Sequence, residues 1–396
     1  PSCVHCHGSH AILPLRDPKS RTNFMNVAET CGQCHTAEKE QYQESVHGKS
    51  AAYGHKDAPI CTDCHDPHAM QPLQVNRRGE FLAGERAKIS QTCARFGVTG
   101  FLATTVYKRG QRNAHLRLAA ECTGRDLGGA QLLGTHLEGP FISPHKRGMI
   151  QPDCLGDASA VILDDIYTLL GNTLKMMTVA PELPGSETIL RTLMANGTVA
   201  SFGHSKATYD EALWAFDVGI AHVTHLFNAM PSLHHRDPSP LAAIFERPSV
   251  TCQVITDGVH IHPSVVRLAY KALGPERFVT ITDGIQALGL PDGNYVYNNM
   301  EYECRNGTPR YKDGTLIGTA VPLNDLLARL MRFTGCPLSE AIRTVTENPA
   351  HVLGLDKRKG RIAPGYDADL VILENDLSVN ATLVGGRIVY QQPTAT

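Results

Sequence analysis

Four apolar runs, each ending on a chemically capable side chain, constrain this chain more than any other feature. Residues 131–137 run into Glu138, 199–203 into His204, 220–224 into His225 and 278–282 into Asp283. Each run reads as a short buried strand, and 98–106, 175–181 and 251–256 read the same way. Between them, helical patterning occupies 111–122, 158–170, 186–196, about 209–218 and 263–273, with later helices over 323–333 and 338–347. Strands that alternate with helices form a parallel sheet whose C-terminal strand ends share one face. The predicted fold class is therefore α/β with a parallel sheet.

A carboxylate and two imidazoles at neighbouring strand tips form a donor set for one divalent cation, with positions left over for water. Glu138, His204 and His225 are the predicted ligands; Zn²⁺ is the first expectation, with Fe, Co or Mn as alternatives. Asp283, at a further tip, is the candidate general base toward that water. His136 precedes Glu138 by two residues and shares its strand face, as a ligand or a support. His222 lies three before His225 and is expected to face the opposite side, which leaves only His225 as a partner for Glu138. His260, in D-G-V-H-I-H, and Arg236, in H-H-R-D-P, bring donors to the same rim, which suits an anionic substrate. Asn228 and Ala229 follow the His225 strand and offer backbone N–H groups to it.

Cysteine usage divides the chain. Of 12 cysteines, Cys3, Cys6, Cys31, Cys34, Cys61, Cys64 and Cys93 fall before residue 96. Three pentapeptides, C-V-H-C-H, C-G-Q-C-H and C-T-D-C-H, place His7, His35 and His65 directly after the second cysteine. Such a turn presents two thiols to haem vinyl groups and a histidine to the iron, so haem c attached through these nine residues is expected. A zinc ribbon also uses paired Cys-x-x-Cys knuckles, but it has no need of a histidine after every pair. His10, His47, His55 and His68 are candidate distal ligands. T-C-A-R at 92–95 reads as the opening of a fourth such motif that breaks off at Phe96. The expected organisation is a haem-binding segment over 1–95, the α/β part over 96–358 and a small β-domain remnant over 359–396. A formal charge of −2, with no basic stripe, gives nucleic acid no footprint, and no apolar run reaches membrane-span length. The chain opens at Pro1 without a signal peptide, which reads as a truncated or processed start.

H-L-E-G-P-F at 136–141, A-P-E at 180–182, G-H-S-K-A-T at 203–208, T-H-L-F-N-A-M at 224–230, D-G-V-H at 257–260, T-D-G at 282–284 and G-T-L-I-G at 314–318 occur in this order. Together they resemble the N-acetylglucosamine-6-phosphate deacetylases of the amidohydrolase superfamily. The resemblance implies a TIM-like (β/α) barrel over 96–358, with a metal on Glu138, His204 and His225 and with Asp283 moving the proton. It further implies a sugar-phosphate site at Asn228, Ala229, His260 and Gly318, and a homodimer in which Arg236 reaches across the interface. The substrate class is a small amino-sugar phosphate, and the expected compartment of this part is the cytoplasm. The first 95 residues resemble multihaem cytochromes c, which receive haem outside the cytoplasm. An electron-transfer cytochrome with an inactive barrel, or another amidohydrolase, is the alternative function.

Two departures from the resembled pattern stand out. No first strand ending in His-x-His precedes residue 98, so a barrel of seven strands with two unpaired edges is expected. Ile150 occupies the place where that family carries a histidine. The broken haem motif and missing strand suggest two gene fragments joined near Arg95/Phe96; one uninterrupted reading frame at the source locus would refute that.

Overall fold

The computed structural model describes residues 83–297 and 300–393, together with Asn26, Glu29 and 36–44. The chain divides into two compact units, Pro1–Val75 and Asn76–Thr396. Of the first, the described part is helix α1, Thr36–Glu44, and an ion pair of 2.6 Å between Lys39 and Glu29. Cys3, Cys6, His7, Cys31, Cys34, His35, Cys61, Cys64 and His65 all lie outside the described residues.

The second unit begins with helix α2, Ala83–Arg95, ahead of strand β1, Gly100–Thr105. This helix is fastened to the rest of the unit: Ser90 Oγ donates to Ala130 O at 2.7 Å, and Thr382 Oγ1 donates to Ala94 O at 2.7 Å. Burial pushes the Cys93 thiol up to about 11. Cys93 is thus part of a helix packed within this unit.

From β1 the chain alternates between strand and helix, as expected except for one helix, Ser239–Glu246, that the sequence reading left out. It runs through α3 (Ala114–Cys122), β2 (Gln131–Glu138), α4 (Ala160–Leu170), β3 (Leu174–Val179), α5 (Ser186–Ala195), β4 (Val199–Phe202) and α6 (Tyr209–Val218). Then come β5 (His222–Val223), α7 (Ser239–Glu246), β6 (Thr251–Ile255), α8 (Pro263–Leu273) and β7 (Phe278–Ile281). The boundaries have local causes. A Thr208/Glu211 capping box starts α6. Pro263 sits in the first turn of α8, and Gly274, at φ 71°, ends it. Val266, Ala269, Tyr270 and Leu273 form the buried stripe of α8, the spacing of one helix face.

The strands pair in the order β1-β2-β3-β4-β5-β6-β7, parallel wherever they join. Phe202 and Met177, wholly buried between sheet and helices, each contribute roughly 2 kcal/mol of apolar burial. β1 and β7 do not pair with each other, so the barrel is open along that seam, as the missing first strand predicts. β1 is partly exposed along its length, whereas all of β3 except Lys175 is buried. On the β7 side, Thr280 N donates to Thr344 O at 3.0 Å and their hydroxyls meet at 2.9 Å. That anchorage interrupts the single helix expected over 338–347.

Past β7 a three-stranded antiparallel sheet, β8 (Gly293–Tyr297), β9 (Met300–Arg305) and β10 (Thr308–Tyr311), projects from the barrel; the sequence reading missed it. Helices α9 (Leu323–Thr334), α10 (Leu338–Arg343) and α11 (Glu347–Val352) follow. The C-terminal β-domain remnant is a second antiparallel sheet, β11 (Leu370–Leu373), β12 (Val379–Val384) and β13 (Arg387–Gln391).

Candidate metal centre and active site

Glu138 is the last residue of β2, His204 follows β4 by one glycine, His225 lies just beyond β5, and Asp283 just beyond β7. His204, His225 and Asp283 adopt left-handed backbone with φ of 47°, 31° and 47°. That conformation costs a non-glycine residue about 1–2 kcal/mol, so the surroundings must hold it. They do. Ser143 N donates to His204 O at 2.9 Å, and Thr319 N donates to Asp283 O at 2.9 Å. Leu226 N, next to His225, donates to Gln253 O at 2.8 Å.

The side chains of Glu138, His204 and His225 converge so that one donor atom of each lies within 4.8 Å of the others. Glu138 Oε1 is 3.2 Å from His225 Nε2 and 3.5 Å from His204 Nε2. The two Nε2 atoms are 3.0 Å apart, with the rings edge to face. His204 Nδ1 lies 2.8 Å from Lys146 O, which only an N–H can satisfy, so Nδ1 carries a proton and Nε2 is the ring atom turned toward Glu138. A carboxylate oxygen and imidazole nitrogens crowded onto one point suit a divalent cation.

Burial pushes the Glu138 carboxyl up, but hydrogen bonds and charge from His204 and His225 outweigh it and hold it well below the usual carboxylate range. Burial lowers His225, and Glu138 beside it more than compensates, leaving it raised. Asp283 is raised, first by burial and then by the Glu138 charge.

A cavity of about 1710 Å³ opens over these residues and extends to the seam between β1 and β7. Asn228, Ala229, His260, Gly318 and Ile150 also line it. Gly318 has φ 81°, and a side chain there would meet Asp283 O at 2.4 Å, so the glycine is required by the approach of the Asp283 strand end. Arg236 stands apart. It is exposed on the loop closed by the His234–Asp237 bridge, its Nη1 lies 2.7 Å from His235 Nε2, and it does not line the cavity.

His136 is engaged below the centre: its Nε2 is 2.8 Å from Thr178 Oγ1, and a hydroxyl chain continues through Thr224 to Ser201 at 2.8 and 2.6 Å. It is not among the convergent ligands. His222, as expected, is not among the convergent donors, but it does not face away from the interior. This side chain lines the same cavity and feels the charge of His136. Alternation along a strand cannot be counted across β5, which ends at Val223 before the left-handed turn at His225.

Two carboxylates escaped the sequence reading. Glu182 accepts from Ser205 Oγ at 2.7 Å and Lys206 N at 2.5 Å, bracing the turn that carries His204. Asp257, two residues past β6, holds His260. Each lies just past a strand tip, the rule that found the other four.

Comparison with known proteins agrees with this geometry. The amidohydrolase family matches residues 130–389. N-acetylglucosamine-6-phosphate deacetylase of Bacillus subtilis is 35% identical over 300 residues, covering 74% of this chain and 75% of that one. N-acetylgalactosamine-6-phosphate deacetylase of Escherichia coli O157:H7 is 32% identical, covering 76% and 80%. The crystal structure of N-acetylglucosamine-6-phosphate deacetylase from Thermotoga maritima superposes with a TM-score of 0.72 at 34% identity, covering 78% of this chain and 85% of that one. The chain belongs to the amidohydrolase family and, within it, to the N-acetylglucosamine-6-phosphate deacetylases.

Proposed function

We propose that the second unit hydrolyses N-acetylglucosamine 6-phosphate to glucosamine 6-phosphate and acetate. The observation that carries this reading is the convergence of Glu138, His204 and His225 beside Asp283. A divalent ion held by those three, Zn²⁺ first and Fe, Co or Mn otherwise, would polarise the acetamide carbonyl and acidify a water. Asp283, as carboxylate, takes the proton of the attacking water. As carboxylic acid it then returns that proton to the nitrogen while the C–N bond breaks, releasing amine and acetate. Its burial beside Glu138 favours the protonated form that the second half of this cycle needs.

Asn228, Ala229, His260 and Gly318 are assigned to the sugar phosphate. Ile150, buried in the wall, offers no hydrogen bond to the acetyl group. Arg236, exposed and away from its own cavity, is assigned to the site of a second copy in a homodimer. The substrate class assigns this activity to the cytoplasm; no helix among the described residues is long and apolar enough to cross a membrane. The three C-x-x-C-H motifs support haem c on the first unit, which a haem stain of protein made with haem-maturation machinery tests.

The deciding assay is acetate release from the N-acetylglucosamine and N-acetylgalactosamine phosphates by metal-loaded chain. Activity is expected with the first and a loss of at least about 100-fold in kcat for Asp283→Asn at unchanged metal content. Folded, metal-loaded protein that releases no acetate from either sugar refutes the proposal.

A further inference from the structure

Asp257 belongs to none of the roles above, yet both oxygens of its carboxylate are engaged. Its Oδ1 accepts from Val259 N at 2.9 Å and His260 N at 2.8 Å, and its Oδ2 is 2.7 Å from His260 Nδ1. The two side chains are 1% and 6% exposed, so water does not compete for these bonds. Arg329 Nη1 donates to the Asp257 carbonyl at 2.7 Å, pinning the residue from α9. Burial pushes the Asp257 carboxyl up, but the bonds from His260 and the two amides outweigh it and leave it lowered. An ionised carboxylate only accepts, so all three partners must donate, and His260 Nδ1 must carry a proton. His260 lines the cavity.

We infer that Asp257 is a positioning residue, which fixes His260 in the tautomer with Nδ1 protonated and so presents Nε2 to the bound substrate. In neutral His260 that atom is a lone pair, an acceptor for a hydroxyl of the sugar. The backbone bonds to Oδ1 set where the ring begins, and the Oδ2 bond sets which nitrogen faces inward; one carboxylate does both. This deepens the proposed hydrolase reading and rests on it for the identity of the ligand, but not for the state of the ring.

Asp257→Asn separates the two tasks. Asparagine keeps an oxygen for the Val259 and His260 amides and turns an NH₂ toward His260 Nδ1, which must then accept. The tautomer is inverted and Nε2 becomes a donor. The experiment is ¹⁵N NMR of the full chain labelled at histidine, with His260 assigned by its disappearance in His260→Gln, alongside kinetics on N-acetylglucosamine 6-phosphate. The expected result is a protonated Nδ1 in the native chain and a protonated Nε2 in Asp257→Asn. A loss of about 10- to 100-fold in kcat/KM should accompany it, carried mainly by KM. A native spectrum with Nε2 protonated overturns the inference, and it does so even if Asp257→Asn fails to fold. An unchanged tautomer in the variant, or an inverted one with unchanged kinetics, overturns it as well. The ring state is read without turnover, so an inactive native chain would sink the hydrolase reading while the spectrum still decides whether Asp257 sets the tautomer.

Discussion

The interior of the barrel should make the second unit sensitive to acid, and His222 is the residue through which to measure it. Thr251 Oγ1 donates to Ala221 O at 3.1 Å and therefore accepts from His222 Nδ1 at 2.7 Å. His222 Nε2 is left as a bare, buried lone pair with no partner. A proton added there would put a charge on a nitrogen that has no acceptor, next to His136. Burial, and then the charge of His136, push the His222 imidazole down to about 3. The unfolded chain takes up its proton near pH 6.5. The native state therefore lacks a proton that the unfolded state binds, so this stability is fully present above about pH 6.5 and erodes as pH falls toward 3. At pH 5 the erosion is about 1.5 pH units, or roughly 2 kcal/mol.

His222→Asn puts an amide N–H where Nδ1 stood and removes the titration. The sequence contains a single tryptophan, Trp214, on α6 and 37% exposed, so tryptophan fluorescence during urea unfolding reports this unit alone. Whatever the variant loses at pH 7.5, its stability relative to the native chain should improve by about 2 kcal/mol at pH 5, with chelator present at both. A difference that does not change with pH would refute the account of a buried neutral imidazole.

Two further substitutions probe the supports of the site. Glu182→Ala removes the acceptor that braces Ser205 and Lys206; it should raise the metal dissociation constant by about 10-fold in equilibrium dialysis while the far-UV spectrum is unchanged. Gly318→Ala forces a side chain against Asp283 O at a left-handed φ; it should cost about 3 kcal/mol in urea unfolding and lower kcat more than KM.

The strand tips were legible because parallel strands are continuous apolar runs, and a charged or imidazole residue at the end of one is conspicuous. Glu138, His204, His225 and Asp283 all emerged on that ground and lie where it puts them. Elements whose logic is tertiary were not legible. Helix α2 has weak apolar patterning of its own and is fixed by contacts with Ala130 and Thr382, distant in sequence. Strands β8 to β10 are exposed on alternate residues and hide in a polar, tyrosine-rich stretch. The facing of His222 was misjudged, though not its absence from the ligand set, because two residues are too few to define a strand face. Glu182 and Asp257 were passed over because each serves another residue rather than the cavity, a relation that only coordinates reveal.

The open seam bears unequally on the chemistry. Glu138, His204 and His225 come from β2, β4 and β5, every one of which has a paired strand on both sides. Loss of pairing at the edge of a sheet is felt first by the edge strand, so the three convergent donors are shielded from it. Asp283 is the exception, since it ends β7, the edge itself. What restrains it is not a neighbouring barrel strand but two local anchors, Thr280 on Thr344 and Asp283 O on Thr319 N. The arrangement therefore separates cation affinity from turnover. A perturbation of the seam, such as Thr344→Val, removes the hydroxyl partner of Thr280 and should lower kcat while leaving the cation bound. If metal affinity fell in step with kcat, the three donors would depend on the seam, and the division drawn between the interior strands and the edge would be wrong.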